Sequence, residues 1–478
     1  METNLAPLVP AGAALVTALV VLVADLFIRQ ENRRALVWIG LVGIGLAAGA
    51  TLAIPASGGA FENTILFDRF AIFFSLIFLA AAALTMLSSV EYLSDAGIRE
   101  GEFYALVLLS AFGMMLMAAA NDLIVLFLGL ETMSIGVYIL TGMWRARVQA
   151  AEAAMKYFLI GAFATGFLLY GIALLYGASG STHLERIAAV LTQPKGAWSV
   201  YLSAGIFLLL VGLAFKVAAV PFHFWAPDVY EGAPTPVTAF MAVAVKAAAF
   251  AAWARIFLYV LSPMQDEWRL PVKALAILTM TVGNVLAISQ SSVKRMLAYS
   301  SIAHAGYLLI ALVAGGAAGG QALLFYLLSY AAMTFGAFGV LIALKDKDQE
   351  RDAYRDFAGL GFKRPFLAMA MSLCMLSLAG FPPLGGFVGK FYLFRSAVMS
   401  GHTDLAIVGA LNSLLSVVYY LRVIVMMYME EGGAEGRSFA RAPYLYFAVA
   451  ACVIGVIYLG IFPAPALEWS LRSFAFLR

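Results

Sequence analysis

The sequence predicts an all-α integral membrane protein of about fourteen transmembrane helices, a single polytopic domain over residues 1–478. Three observations predict it. Hydrophobic residues make up 63% of the chain and charged residues only 12%, where soluble domains carry about 25% charged residues. Apolar runs of about 20 residues, long enough to cross a hydrocarbon layer of about 30 Å, recur along the whole chain. Basic residues gather in alternate connections between those runs, as in a chain threaded back and forth across a bilayer.

The first run, 8–28, follows Glu2 where a secretory signal would carry positive charge, so it reads as a retained span. Polar punctuation then delimits 35–55, 66–89, 103–119, 121–141, 157–177, 200–223 and 237–260, followed by 272–289, 297–316, 321–344, 366–395, 405–428 and 443–463. One set of connections collects Arg29, Arg33, Arg34, Arg99, Arg145, Arg147, Lys294, Arg295, the basic residues from Lys345 to Arg364, Arg437 and Arg441. The other set holds only Arg186, Lys195, Arg269, Lys273, Arg472 and Arg478. The positive-inside rule therefore places the first set in the cytoplasm and both termini outside. The mixed-sign stretch KDKDQERDAYRDF from Lys345 reads as a solvated cytoplasmic connection.

Several function classes are excluded at this level. A net charge of +3 is too small to imply a nucleic-acid partner. Cys374 and Cys452 both fall in predicted spans, which argues against a disulfide framework or an iron–sulfur or zinc site in this chain. GAFATG at Gly161 has the glycine spacing of a phosphate loop but lacks its Lys-Ser/Thr and lies in an apolar helix, so close helix packing explains it better.

What remains are ionisable residues at membrane depth. Lys246 has nine residues of its span before it, roughly 14 Å of helix at 1.5 Å per residue, too far for its stem to reach the interface. A cation held there costs about 2.5–3.5 kcal/mol and by default marks a functional site. Glu131 is central in its span, with Ser134 and Tyr138 at i+3 and i+7 on the same face; it reads either as part of a polar path or as half of a structural ion pair. Lys216 is less central, but Pro221 opens the helix close to it, and freed carbonyls in a membrane must face water or polar groups. His223, seven residues beyond Lys216, is placed roughly on the same face, where relay and structural roles are both open. Lys156 lies where its span begins, with snorkelling and function both open.

The second half echoes the first. SLAGFPPLGGFVGKFYLF interrupts an apolar segment with Pro382, Pro383, Gly385 and Gly386 before Lys390. Two broken segments, each with an intramembrane lysine, point to inverted repeats, here 103–260 and 272–428 with five spans each. The offset that carries Lys216 onto Lys390 carries Glu131 onto Ala305, beside His304, and Lys246 onto Tyr420. The second copy therefore lacks the central lysine, and His304 reads as packing or as a relay between halves. One carboxylate, several lysines and one or two histidines, without metal-ligand spacing, look like a proton relay.

FKVAAVPFHFWAPDVYEGAPTPVTAFMAVAVK, LGLETMSIGVYILTG, SSIAHAGYLL and AGFPPLGGFVGKF together resemble the antiporter-like membrane subunits of proton-pumping NADH:quinone oxidoreductase, complex I, over nearly the whole chain. The likeness is greatest to the subunit N branch of that family. Subunit M usually has glutamate at the place of Lys390, and subunit L adds two helices and a long lateral helix; neither departure is found here. The resemblance implies a Glu131–Lys216 pair, Lys246 as central relay, Lys390 as the charge of the broken twelfth helix, and Lys156 and His304 as further members of a polar axis. It implies a translocase subunit without cofactors of its own, with NADH, FMN, iron–sulfur clusters and quinone in other subunits. It also implies other complex I membrane subunits and membrane lipids as partners, and a bacterial inner membrane as location. A subunit of a multisubunit cation/proton antiporter and a purely structural membrane subunit are the two other classes these residues allow.

Overall fold

The computed structural model describes residues 5–29, 32–56, 58–192, 200–345, 350–431 and 442–475. The readings that rest on Glu2, Lys195, Lys347, Arg437, Arg441 and Arg478 lie outside these residues. Among the described residues, twelve helices are long and apolar enough to cross a membrane. They are α1 (Val9–Phe27), α2 (Arg34–Ala53), α3 (Arg69–Ala96), α4 (Glu100–Ala119), α5 (Leu123–Thr141), α6 (Val148–Ser179), α10 (Thr235–Val260), α11 (Gln265–Ile288), α12 (Val293–Ala314), α13 (Gly316–Ala343), α16 (Thr403–Met429) and α17 (Pro443–Ile461). A short amphipathic α7 (Leu184–Leu191) and a terminal α18 (Pro463–Phe474) accompany them. The only strands among the described residues form a small hairpin, Gly59–Ala60 with Ile65–Leu66.

The remaining two apolar segments are broken, as the Pro and Gly residues predict. α8 (Val200–Lys216) gives way to turns, with Ala218 at φ 58°, before α9 (Trp225–Gly232). α14 (Pro365–Ala379) ends at Gly380, whose φ of 95° favours glycine, before α15 (Gly385–Met399). The groups freed at the breaks find protein partners. Val220 N donates to Thr279 Oγ1 at 2.9 Å, and Trp225 Nε1 donates to the Phe215 carbonyl at 3.1 Å.

Helix α6 begins nine residues before the expected 157 because VQAAEAAMK, polar enough to escape a hydropathy reading, is made of good helix formers. α3 runs on past the expected 89 to Ala96, and Gly97 in the left-handed region stops it. Asp68 and Asp122 cap α3 and α5 by accepting from Ala71 N and Ile124 N at 2.7 and 2.8 Å.

α10 runs through the interior and is buried on all sides, and α12 beside it is nearly so. α1, α2, α6 and α16 instead keep broad exposed apolar faces, as the outer wall of a bundle in lipid does. Glycines bring backbones close. A Cβ on Gly113 of α4 would lie 2.6 Å from the Gly129 carbonyl of α5, and one on Gly283 of α11 would lie 2.6 Å from Ala303 N of α12. Polar connections meet at two ends of the bundle: Asp68, Asn121, Asp122 and Thr182 at one, Arg147, Glu231, Lys294 and Glu350 at the other.

Candidate functional site

Three lysines occupy the interior with hydroxyls and carbonyls, and not carboxylates, as their hydrogen-bond partners. Lys216, the last residue of α8, is 3% exposed, and its Nζ donates to Ser134 Oγ at 2.8 Å and to Tyr138 Oη at 3.3 Å. These hydroxyls are the i+3 and i+7 positions that share a face with Glu131. Glu131 itself is half-buried and accepts from Thr165 Oγ1 at 3.0 Å. Glu131 and Lys216 thus interact across a gap, through their charges, and not by a direct contact. One turn of α5 separates the carboxylate from the serine that holds the amine.

Lys246 is 2% exposed in the middle of α10; its Nζ donates to the Ser301 carbonyl and, at 2.5 Å, to Ser301 Oγ on α12. Met241–Val245 and Ala254–Val260, on either side of Lys246–Trp253, are wound as π-helix, a local form frequent at functional sites. Lys390, 3% exposed on α15, donates to the Ala379 carbonyl at 3.1 Å and to Ser413 Oγ at 2.8 Å, with its amine 4.8 Å from the Tyr307 ring centroid. The Ala379 carbonyl is one of those left free where α14 ends, so Lys390 closes a helix C-terminus, where a cation is favoured.

Between Lys246 and Lys390 lies a hydroxyl and imidazole cluster. Ser300 and Tyr420 share a 2.5 Å hydrogen bond, Tyr420 meets His304 Nε2 at 3.0 Å, and His304 Nδ1 meets Tyr326 Oη at 2.6 Å. Tyr420, where the repeat offset finds no lysine, thus contacts the histidine next to the offset position of Glu131. Nearby, the buried Tyr330 hydroxyl lies beside the Ser301 and Thr334 hydroxyls, and the Tyr330 ring centroid is 5.9 Å from the Lys246 amine.

Two expected members stand apart. Lys156 is 41% exposed and pairs with Glu152 at 2.7 Å and Asp228 at 3.0 Å, at the end of the bundle. His223 lies in the turns after α8, so helical spacing from Lys216 does not apply to it; its buried ring meets the Pro221 backbone.

Two buried charge sites escaped the sequence reading. Glu350, in the stretch expected to be solvated, is buried and accepts from Lys294 Nζ at 2.7 Å, from Tyr92 Oη at 2.7 Å, from Arg147, and from both the backbone N–H and hydroxyl of Thr235 at the start of α10. Burial alone would raise its pKa, but Lys294 and Arg147 outweigh that and hold it down to about 2. Near the other end of α10, Arg255 donates to both Asp68 carboxylate oxygens at 2.8 and 2.9 Å and to the Ala118 carbonyl at 2.5 Å. A polar run looks the same from sequence whether solvated or sealed, and neither carboxylate carries a local signal of its partner.

Residues 120–416 match the family described as NADH:quinone oxidoreductase/Mrp antiporter, TM. NADH-quinone oxidoreductase subunit N of Trichlorobacter lovleyi is 47% identical over 471 residues, covering 98% of this chain and 97% of its own. The chain belongs to this family. Among solved structures, a chain of respiratory complex I from Thermus thermophilus with bound aureothin is 36% identical with a TM-score of 0.81, covering 96% of this chain and 98% of its own. A chain of the Mrp complex from Dietzia shares the fold at 22% identity and a TM-score of 0.83, over 99% of this chain and 98% of its own. The fold of this family, not only its short motifs, is thus present along the whole chain.

Proposed function

We propose that this chain is an antiporter-like, proton-translocating membrane subunit of an NADH:quinone oxidoreductase, with Glu131, Lys216, Lys246, His304 and Lys390 carrying protons between hydroxyls. One contrast carries the reading. Buried Lys294 and Arg255 each touch a carboxylate, as structural cations do. Lys216, Lys246 and Lys390 have hydroxyl and carbonyl partners instead. A hydroxyl can donate or accept, so an amine bonded to one keeps its partner after giving up a proton, whereas an amine in a salt bridge would leave a buried carboxylate unpaired. The Tyr330 hydroxyl, beside Ser301 and Thr334, and its ring, 5.2 Å from the His304 ring, support a continuation of the hydroxyl set from Lys246 toward His304.

Full-length likeness at 47% identity to a subunit named for the oxidoreductase, against 22% to the Mrp chain, favours the oxidoreductase over a free-standing antiporter. On this reading the chain sits in a bacterial inner membrane with fourteen crossings, both termini periplasmic and Glu350 at the cytoplasmic end. It packs against neighbouring antiporter-like subunits and takes its driving force from quinone reduction elsewhere in the complex. The glycine-packed α4–α5 and α11–α12 pairs support the two inverted repeats, since they hold equivalent places in them. The test is Lys246→Ala in the assembled complex: NADH-driven proton translocation is lost while the complex still forms. Full pumping by that variant would sink the relay, and co-purification with a cofactor-free sodium-transporting assembly would instead select the antiporter.

A further inference from the structure

Helices α11 and α16 lie side by side and run in the same direction, stitched in register by three polar contacts. Lys273 Nζ stands 2.6 Å from Asp404 Oδ2 near the two helix starts, and Asn284 Nδ2 donates to Asn412 Oδ1 at 3.2 Å further along. Arg422 Nη1 donates to the Gln290 carbonyl at 3.3 Å, just past the end of α11. Beside these contacts both helices keep apolar residues exposed. Leu270, Leu278 and Val285 do so at helical spacing on α11, and Ile407, Leu411 and Leu414 on α16.

The first end of this seam carries charge that an apolar wall does not explain. Basic residues are sparse in the connections at this end of the bundle, yet Arg269 and Lys273 stand one turn apart on α11, and His402 directly precedes α16. Asp404 balances Lys273. Arg269 Nε and His402 Nε2 are each sealed from solvent with no hydrogen-bond partner among the described residues. Burial, and then the charges of Lys273 and Arg269, push the His402 pKa below the ordinary histidine value against the opposing pull of Asp404. Two sealed nitrogens from two elements therefore share one electropositive spot. The guanidinium always donates and the imidazole can, so the group that satisfies both is an anion with more than one free oxygen.

A phosphodiester has two such oxygens. A phospholipid adds acyl chains for the exposed wall that begins at the same place, whereas a free anion has no use for that wall. We propose that the Lys273–Asp404 end of the α11–α16 seam binds one anionic phospholipid, its phosphodiester held by Arg269, His402 and Lys273 and its acyl chains laid along the exposed apolar residues of the two helices. The site does not depend on Lys216, Lys246 or Lys390 carrying protons, so its failure leaves that reading untouched.

The test uses the complete membrane complex that contains this chain, reconstituted in phosphatidylcholine vesicles. One preparation carries a trace of phosphatidylglycerol with a diazirine in an acyl chain, the other a trace of phosphatidylcholine with the same diazirine. After irradiation, labelled peptides are mapped by mass spectrometry. Phosphatidylglycerol labels α11 and α16 of the parent more than phosphatidylcholine does. Arg269→Gln and His402→Gln, neither of which strands a carboxylate, each lower the phosphatidylglycerol labelling roughly five-fold, the factor for one basic group at an anionic lipid surface. Phosphatidylcholine labelling and the amount of assembled complex stay at the parental level, and Arg269→Lys keeps most of the labelling. Inorganic phosphate at matched ionic strength does not displace the lipid; displacement would assign the cations to a free anion and overturn the lipid site. Equal labelling of the parent by both lipids would leave a lipid-facing wall without headgroup recognition, and labelling by neither would mean that a neighbouring chain covers the seam. Either result overturns the proposal.

Discussion

Lys294 Nζ stands 2.7 Å from a Glu350 carboxylate oxygen, and both side chains are closed off from solvent. The same amine donates to the Ala233 carbonyl at 2.6 Å and the Glu231 carbonyl at 3.1 Å, at the C-terminal end of α9. One buried pair therefore ties the second half of a broken segment, the start of α10 and the connection after α13 into one node.

Glu350→Gln leaves Lys294 buried without its counter-charge, and breaking such a pair costs about 3–5 kcal/mol. The sign with pH follows from the carboxyl being held at about 2, below the ordinary 4.5. Its stabilisation is fully present above about pH 4.5 and is lost as pH falls toward about 2. Thermal unfolding of the purified complex in detergent, followed with pH, shows a destabilised variant whose acid-side loss is shallower than the parent's.

Arg255→Ala and Lys246→Ala separate structure from transport on one helix. The first strips Asp68 and the Ala118 carbonyl of their buried partner and lowers the yield of assembled complex. The second leaves Ser301 beside the Tyr230 and Tyr330 hydroxyls and spares assembly, but lowers pumping by roughly a hundred-fold, the lower range for a positioned proton-transfer group. Native gels and vesicle acidification on the same membranes distinguish the two.

Tyr420→Phe removes the hydroxyl shared by Ser300 and His304. Loss of two neutral hydrogen bonds lowers stability by about 1–3 kcal/mol. The rate of proton translocation per quinone reduced falls with it, whereas a Tyr419→Phe change, which breaks the 2.8 Å bond to Asn284, lowers stability alone. Paired measurement of melting and proton-to-electron ratio checks this.

Gly161→Ala drives a methyl against Tyr138 Oη. Overpacking of this kind costs about 1–3 kcal/mol. The ring swings off Lys216, so the variant loses turnover along with stability. Coupled turnover normalised to assembled complex is the measurement, and parental turnover would mean that the ring's position is immaterial.

The positions of the spans and of both breaks were legible because hydropathy and Pro/Gly punctuation are local. So was the polar face of Glu131, Ser134 and Tyr138, since helical spacing holds throughout α5. His223 was misplaced because that spacing ends at Lys216, where the helix does. Glu350 was misjudged because its partners Arg147 and Lys294 are 203 and 56 residues away, and nothing in KDKDQERD distinguishes a sealed carboxylate from a solvated one. Ser301 and Tyr420 were hidden in apolar helices, where hydroxyls often bond their own backbone, as Ser134 also does to the Leu130 carbonyl at 2.6 Å.

Helix α10 is held by Glu350 at Thr235 and by Asp68 at Arg255, and two stretches, Met241–Val245 between these contacts and Ala254–Val260 around Arg255, are wound one residue wider than an α-helix. The eight residues Lys246–Trp253 between them form an α-helical cartridge held in a slack coil. Moving the surplus residue along the coil turns that cartridge by about 100° per residue, the angular step of an α-helix. A lysine mounted this way can be re-aimed from one acceptor to another while both ends of its helix stay where they are.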